Sequence, residues 1–394
     1  MNKEQSTILV SQIMLDFADG TGLAGEGEET TPRRYLWTDA FAVCNFLELY
    51  HRSQDESWLD LAKHLVDQVH HVLGRHRAEG SPSGWISGLS EAEGELHPTR
   101  GGLRIGKQLK ERAPDEPTDD RLEWERDGQY YHYLTKWMHA LRCMSRVTGD
   151  VTYLRWGIEL AQTAHAAFCY PATPEGTRAL HWKMSSDLTR PLVRSMGQHD
   201  PLDGFTACSE LQSEARTFGT ETLPDLGREI EELAAMCRGK DLATDDALGI
   251  GGMLCDMVSM EQLIIKGDFH DLELFQQVVD AALLSLQETG GGFLDVSAKY
   301  RLPFRELGLS IGLRGIERFA RLVDKYSDVF HEEVSSWLQP RLEGLTWYLP
   351  LSEKIERYWL DEKNKGTENW KAHRDINMVM LATSLAPEEF LRGS

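Results

Sequence analysis

Apolar residues recur every three or four positions along most of this chain, while the strict alternation of a half-buried strand is scarce. The clearest case is residues 123–150, "EWERDGQYYHYLTKWMHALRCMSRVTGD", where Tyr130, Leu134, Trp137, Leu141 and Met144 line one helical face. A polar turn ends that helix, and "VTYLRWGIELAQTAHAAF" begins a second, so the two form an antiparallel helical hairpin. The same arrangement of helix, polar turn and helix returns over 36–73, 248–286 and 307–342, and in a weaker form over 203–236. Single helical patterns remain at each end, "STILVSQIMLDFA" and "DINMVMLATSLA". Paired with each other, they supply a sixth hairpin. The expected fold is therefore all-α, an (α/α)6 toroid in one domain over 1–394, with an open solenoid of hairpins as the alternative.

Three long segments interrupt the helical rhythm, at about 78–126, 171–204 and 289–305. Loops of this length in a compact domain usually carry function. The latter two mix Trp, Phe, Arg and His with carboxylates, as an ordered site-forming loop does.

Charge and cysteine usage narrow the function classes. The 394 residues carry a formal net charge of −21, which argues against a surface that tracks nucleic-acid phosphates. The N-terminal stretch lacks the basic start and apolar core of a secretion signal, and no run reads as a membrane span. All six cysteines stand singly, without CxxC spacing, as expected of reduced buried thiols in the cytoplasm. "GGLRIGK" and "GIGGM" lack nucleotide-loop spacing, and no sequence motif for zinc or calcium is present. No cofactor and no metal are expected. The expected partner is a small-molecule or oligosaccharide substrate, with no nucleic acid and no membrane, and a homo-oligomer is compatible with the sequence.

Candidate chemistry concentrates where inner helices begin. In a toroid these N-termini gather at one mouth, which would pool Arg34, Trp37, Asp39, Asp127, Tyr130, His132, His199, Asp200, Asp203, Asp245, Arg305, Glu306, His373, Arg374 and Asp375. An Asp before a helix is first of all an N-cap, and Asp39 and Asp245 are assigned to capping. Asp127 and Asp203 stand apart because Gly and an aromatic follow each at a helix entry. Aromatic faces stack on pyranose rings while carboxylates bind hydroxyls or move protons. His199 and His373, in loops beside Asp and Arg, are the imidazole acid/base candidates. His139 lies deeper on its helix and reads as a core residue.

The hairpin rhythm, with turns such as "TGDVTYLRW" and "SQDESWLDL", resembles the six-hairpin toroid superfamily of sugar-acting enzymes. This superfamily includes glycoside hydrolases and the N-acylglucosamine 2-epimerase/cellobiose 2-epimerase group. "RRYLWTDAFAV", "GQHDPLDG" and "NWKAHRD" resemble segments of the epimerase group. That resemblance implies Arg34 facing the sugar, with His199 and His373 as catalytic residues; "PLDGF" departs from the group's usual acidic pattern. Three functional readings follow. A glycoside hydrolase would use Asp127 and Asp203 as its carboxylate pair, with Glu306 in reserve. An epimerase or aldose–ketose isomerase would use His199 and His373. A non-catalytic toroid would bind a saccharide or a partner through the same mouth. Trp37, Tyr130, His132, Trp182, Arg305, Glu306 and Trp370 complete the expected binding surface.

Overall fold

The computed structural model describes residues 3–23, 32–78, 82–173, 176–219, 223–330 and 332–393. The chain divides into two compact units, Ala18–Met236 and Met1–Phe17 with Cys237–Ser394. We call them the continuous and the split unit.

The continuous unit is built from the expected hairpins. Leu36–Ser53 pairs with Glu56–Leu73, Tyr131–Thr148 with Val151–Phe168, and Asp200–Phe218 is followed by Gly227–Cys237. The first member of each pair is the buried one: every residue from Leu36 to Leu49 lies in the interior. Its partner Glu56–Leu73 buries only the stripe through Trp58, Leu59, Ala62, Leu65, Val66, Val69, His70 and Leu73, as a helix with one wet face does. The recurrent "QD" and "GD" turns have a local cause. Gln54 (φ 57°) and Gly149 (φ 71°) take the left-handed conformation that ends a helix. Asp55 and Asp150 then accept the Ser57 and Thr152 amides and cap the next one.

The split unit repeats the scheme with Ala247–Lys266 and Leu272–Thr289, then Pro303–Lys325 and Glu332–Thr346. Ala247–Lys266 crosses Pro303–Lys325 at backbone contact. A Cβ on Gly251 would lie 2.1 Å from the Gly308 carbonyl oxygen, which gives "GIGGM" a packing role. The helix Leu349–Leu360, packed along Pro303–Lys325, has no counterpart in the periodicity reading. The terminal helices do meet here: the Ser6 hydroxyl donates to the Leu385 carbonyl at 2.7 Å. One expectation needs correcting. Ala247–Lys266 is long and apolar enough to cross a membrane, and 67% of that stretch is buried inside the protein, as a core helix is.

The interrupting segments are ordered wherever they are described; residues 79–81 and 174–175 lie outside the described residues. In the second, Lys183–Met184 pairs with Gln129–Tyr130 on one side and Pro191–Val193 on the other. This small sheet holds Trp182 and Lys183 over the start of the Tyr131–Thr148 helix. The third segment forms two short 3-10 turns, Gly292–Asp295 and Ala298–Tyr300.

Candidate functional site

Within the continuous unit the helix entries Leu36, Tyr131 and Asp200 come together. Their aromatic side chains form one cluster. The Trp37 ring lies 6.0 Å from His132 and 5.3 Å from Tyr133. Tyr130 stacks on His132 at 5.4 Å, and Trp182 lies over both. The half-exposed Trp124 meets Trp182 edge-on at 4.5 Å. Tyr35 and Tyr133 share a hydrogen bond of 2.6 Å; burial outweighs it and pushes Tyr35 up to about 12.

Four polar atoms in this cluster are buried without a hydrogen-bond partner among the described residues: Trp37 Nε1, Tyr130 Oη, His132 Nδ1 and Asp200 Oδ2. Buried polar atoms are normally satisfied, so these four are atoms that a polar ligand or water can satisfy. His132 Nδ1 approaches Asp200 Oδ1 to 3.5 Å, an ion pair when the imidazole is protonated. One turn further on, Lys136 Nζ pairs with Asp203 Oδ1 at 3.1 Å. His199 occupies the N-cap position of the Asp200–Phe218 helix and is half-buried.

Asp127 sits elsewhere. Its side chain is wholly buried and accepts from Arg104 (2.6 Å), Arg77 (3.3 Å) and the backbone amides of Gly106 (3.0 Å) and Lys107 (3.3 Å). It caps no helix: the N-cap of Tyr131–Thr148 is Tyr130, which makes no side-chain cap bond. The carboxylate instead ties the 78–126 segment to the strand at Gln129. The two Asp-Gly steps therefore have separate causes. Gly128 has φ 138°, and a Cβ there would lie 2.7 Å from the Met184 carbonyl oxygen. Gly204 leaves room for the buried Tyr131 hydroxyl.

Arg34 is likewise internal, donating to the Thr21 carbonyl at 2.8 Å and facing Asp39 at 3.5 Å. Its guanidinium is held from inside the protein, where the resemblance implies an arginine facing the sugar. Asp39 does not cap Leu36–Ser53 from in front; it reaches back from inside the helix to the Tyr35 amide at 2.8 Å. Asp246, not Asp245, caps Ala247–Lys266. Lys183, in the second interrupting segment, is buried and donates to the Glu123 and Arg126 carbonyls. Burial pushes its ammonium down to about 8.

The remaining candidates belong to the split unit. Glu306 is held by Arg301 at 2.5 and 2.7 Å and by Trp359 Nε1 at 2.8 Å. Trp370 is buried and stacked on Trp359 at 5.7 Å, away from solvent. Arg305 pairs with Asp246 at 2.5 Å. His373 is exposed beside Phe304, and Arg374 lies 3.6 Å from Asp375. Glu306 and Trp370 are thus committed to packing.

The Tyr131–Thr148 and Asp200–Phe218 helices run parallel and face each other through charge. Below His132–Asp200 and Lys136–Asp203 come His139–Glu210 at 3.5 Å and Arg142 with Glu210 and Glu214 at 3.4 and 4.0 Å. The sequence signal for this ladder, His132, Lys136, His139 and Arg142 at helical spacing opposite Asp200, Asp203, Glu210 and Glu214, lies beside the apolar stripe. Two groups of described residues have metal-ligand chemistry, Cys44 with His139 and Cys143, and His165 with Cys169 and Glu232. In the second, Arg178 Nε lies 2.9 Å from both Cys169 Sγ and Glu232 Oε2, so a guanidinium already takes the cation's place.

No protein-family model and no curated protein matches the chain. Solved structures do. A GH76 alpha-mannanase of Bacteroides thetaiotaomicron is similar at TM-score 0.56 and 9% identity, covering 98% of this chain and 97% of that one. A sugar epimerase from a ruminal bacterium (TM-score 0.47, 12% identity) covers 96% and 98%. A cellobiose 2-epimerase from Spirochaeta thermophila (TM-score 0.47, 13% identity) covers 96% and 98%. The mannanase likeness identifies the fold: all-α, of the (α/α)6 toroid class expected from the hairpin rhythm.

Proposed function

We propose that this chain is a carbohydrate-active enzyme of glycoside hydrolase type, whose acid/base groups are Asp200 and Asp203 with His132 against Asp200. The observation that carries the reading is the aromatic cluster with four unpartnered polar atoms, Asp200 Oδ2 and His132 Nδ1 among them. Such a surface suits a sugar: the faces of the partly exposed Trp124 and Trp182 to stack on, and hydroxyl-seeking atoms behind them. Asp200 and Asp203 lie three residues apart in one helix's first turn, so both carboxylates stand at the same entry. The Lys136 partner gives Asp203 a setting different from that of Asp200, and such a difference lets two carboxyls divide acid and base roles. That a protein of the same fold is an alpha-mannanase supports a saccharide substrate. Asp127, saturated by four donors, has no free lone pair directed at a ligand and is replaced in the pair by Asp200. The free cysteines, mostly buried, support a cytoplasmic setting.

The test is hydrolysis of a panel of glycosides that includes α-mannosides, followed in wild type, Asp200→Asn, Asp203→Asn and His132→Gln. Loss of a positioned acid or base lowers turnover by about 10²–10⁴-fold. Full hydrolysis by both aspartate variants would sink the assignment. Deuterium entering C2 of a free sugar, without cleavage of any glycoside, would replace hydrolysis by epimerisation or isomerisation. Saccharide protection against heat without turnover would leave a binding protein.

A further inference from the structure

We infer that Cys44, His139 and Cys143 form a zinc site in the interior of the continuous unit. The site is separate from the saccharide chemistry proposed above and does not rest on it. His139 and Cys143 lie one turn apart on the Tyr131–Thr148 helix, and Cys44 comes from the packed Leu36–Ser53 helix. One ligand atom of each lies within 4.8 Å of the other two. Two thiols and an imidazole are the donor set that a borderline-soft divalent cation selects.

The geometry agrees in detail. Cys143 Sγ lies 3.6 Å from His139 Nε2, and the Arg146 guanidinium comes no nearer to it than a long 3.9 Å contact, against 2.9 Å for Arg178 on Cys169. Zinc–sulfur and zinc–nitrogen bonds of about 2.3 and about 2.05 Å, at a tetrahedral angle, put those two atoms about 3.6 Å apart. The other ring nitrogen, Nδ1, faces Glu210 Oε2 at 3.5 Å. A carboxylate on the far nitrogen is the usual partner of a metal-bound histidine, fixing the tautomer and the ring plane. Arg142 Nη2 also comes to 3.4 Å from that nitrogen and 3.4 Å from Glu210, so the carboxylate is itself held. Cys143 is fully buried, Cys44 nearly so, and the imidazole keeps 13% of its side-chain surface, which gives an ion a way in. Three protein ligands leave the fourth position to water or an added ligand. A bound ion would join the first two inner helices of this unit as a cross-link.

The experiment uses the whole protein and zinc or cobalt ions alone. Metal-free protein titrated with zinc against a chromogenic chelator should take up one equivalent. Cobalt should give the sulfur-to-cobalt charge-transfer band and the strong visible bands of tetrahedral coordination. Both signals should vanish in Cys44→Ser and Cys143→Ser and persist in Cys255→Ser, with circular dichroism verifying folding in each. Glu210→Gln should weaken zinc binding by about 10–100-fold while the cobalt spectrum survives at higher ion concentration. Cobalt bound without the charge-transfer band, uptake unmoved in Cys44→Ser and Cys143→Ser, or a Cys44–Cys143 disulfide in place of the ion would overturn the assignment.

Discussion

Replacing Asp127 by Asn separates the two roles its sequence context suggests. The carboxylate is wholly buried, and its shortest partner, Arg104 at 2.6 Å, keeps only 8% of its side-chain surface. Removing one member of a buried ion pair leaves the other charge uncompensated and costs about 3–5 kcal/mol. Arg77, 3.3 Å away with 24% exposure, adds little, because solvent screens it. The carboxamide oxygen still accepts from Gly106 and Lys107, so those two bonds survive in Asn. In Asp127→Ala they are lost as well, adding about 1–2 kcal/mol. Urea unfolding followed by circular dichroism and tryptophan fluorescence should thus place Asp127→Asn well below wild type, with Ala lower still. Activity per folded molecule should fall far less than for a lost acid or base. The opposite result, an Asp127→Asn protein as stable as wild type but without turnover, would refute the anchoring role and return Asp127 to the catalytic pair.

Asp200→Asn should behave in the reverse sense. Its Oδ2 is unpartnered and its Oδ1 meets His132 only at 3.5 Å, so the amide should lower the urea midpoint far less than Asp127→Asn does while turnover is lost. Gly128→Ala imposes a side chain at φ 138° beside the Met184 carbonyl and should cost about 1–3 kcal/mol in the same unfolding assay. His70 is completely buried, where desolvation pushes its imidazole down to about 3, and its Nε2 accepts from Trp137 Nε1 at 3.1 Å. Its pKa is lower folded than unfolded, so between about 6.5 and about 3 the unfolded chain binds the extra proton and stability falls as pH falls. At about 1.4 kcal/mol per pH unit, the loss reaches about 2 kcal/mol by pH 5. His70→Gln should flatten that acid limb, and an unchanged limb would show that other groups set it.

The hairpins were legible because burial imposes its period on sequence: an outer helix with one wet face writes a clean stripe, as Trp58, Leu59, Ala62, Leu65, Val66 and Val69 do. The "QD" and "GD" turns were legible for the same local reason, a left-handed residue followed by an Asp cap. The helix Leu349–Leu360 escaped notice because its polar face dominates and it follows Glu332–Thr346 almost without a break. Of the site, Trp37, Tyr130, His132, Trp182, His199 and Asp203 were visible as helix-entry or loop residues of the right chemistry. Asp127, Arg34 and Glu306 had the same local appearance. Their burial against Arg104, Asp39 and Arg301 depends on how the chain turns at each helix entry, which the run of residue types there does not show. A carboxylate at a helix entry is written identically whether it points to solvent or into a guanidinium.

The Tyr131–Thr148 helix puts the same limit in sharper form. Its apolar stripe invites the reading that the apolar face carries the helix's purpose. Yet His132, Lys136, His139 and Arg142 are the side chains that face Asp200–Phe218, each opposite a carboxylate. Buried charge is retained only where it is paired, and removing one member is expensive, so a ladder of four such rungs fixes the register of two parallel helices. It also grades their chemistry with depth. At the top rung, His132 and Asp200 keep unpartnered atoms among the aromatic rings. At the third, Glu210 addresses one nitrogen of His139 while Cys143 addresses the other. One helix thus carries the proposed proton-handling group at its start and the proposed zinc ligands two turns below. Lys136→Met, which removes the rung between them, should therefore disturb both readouts, saccharide turnover and cobalt coordination. A variant that is folded and altered in neither would show the rungs to be independent.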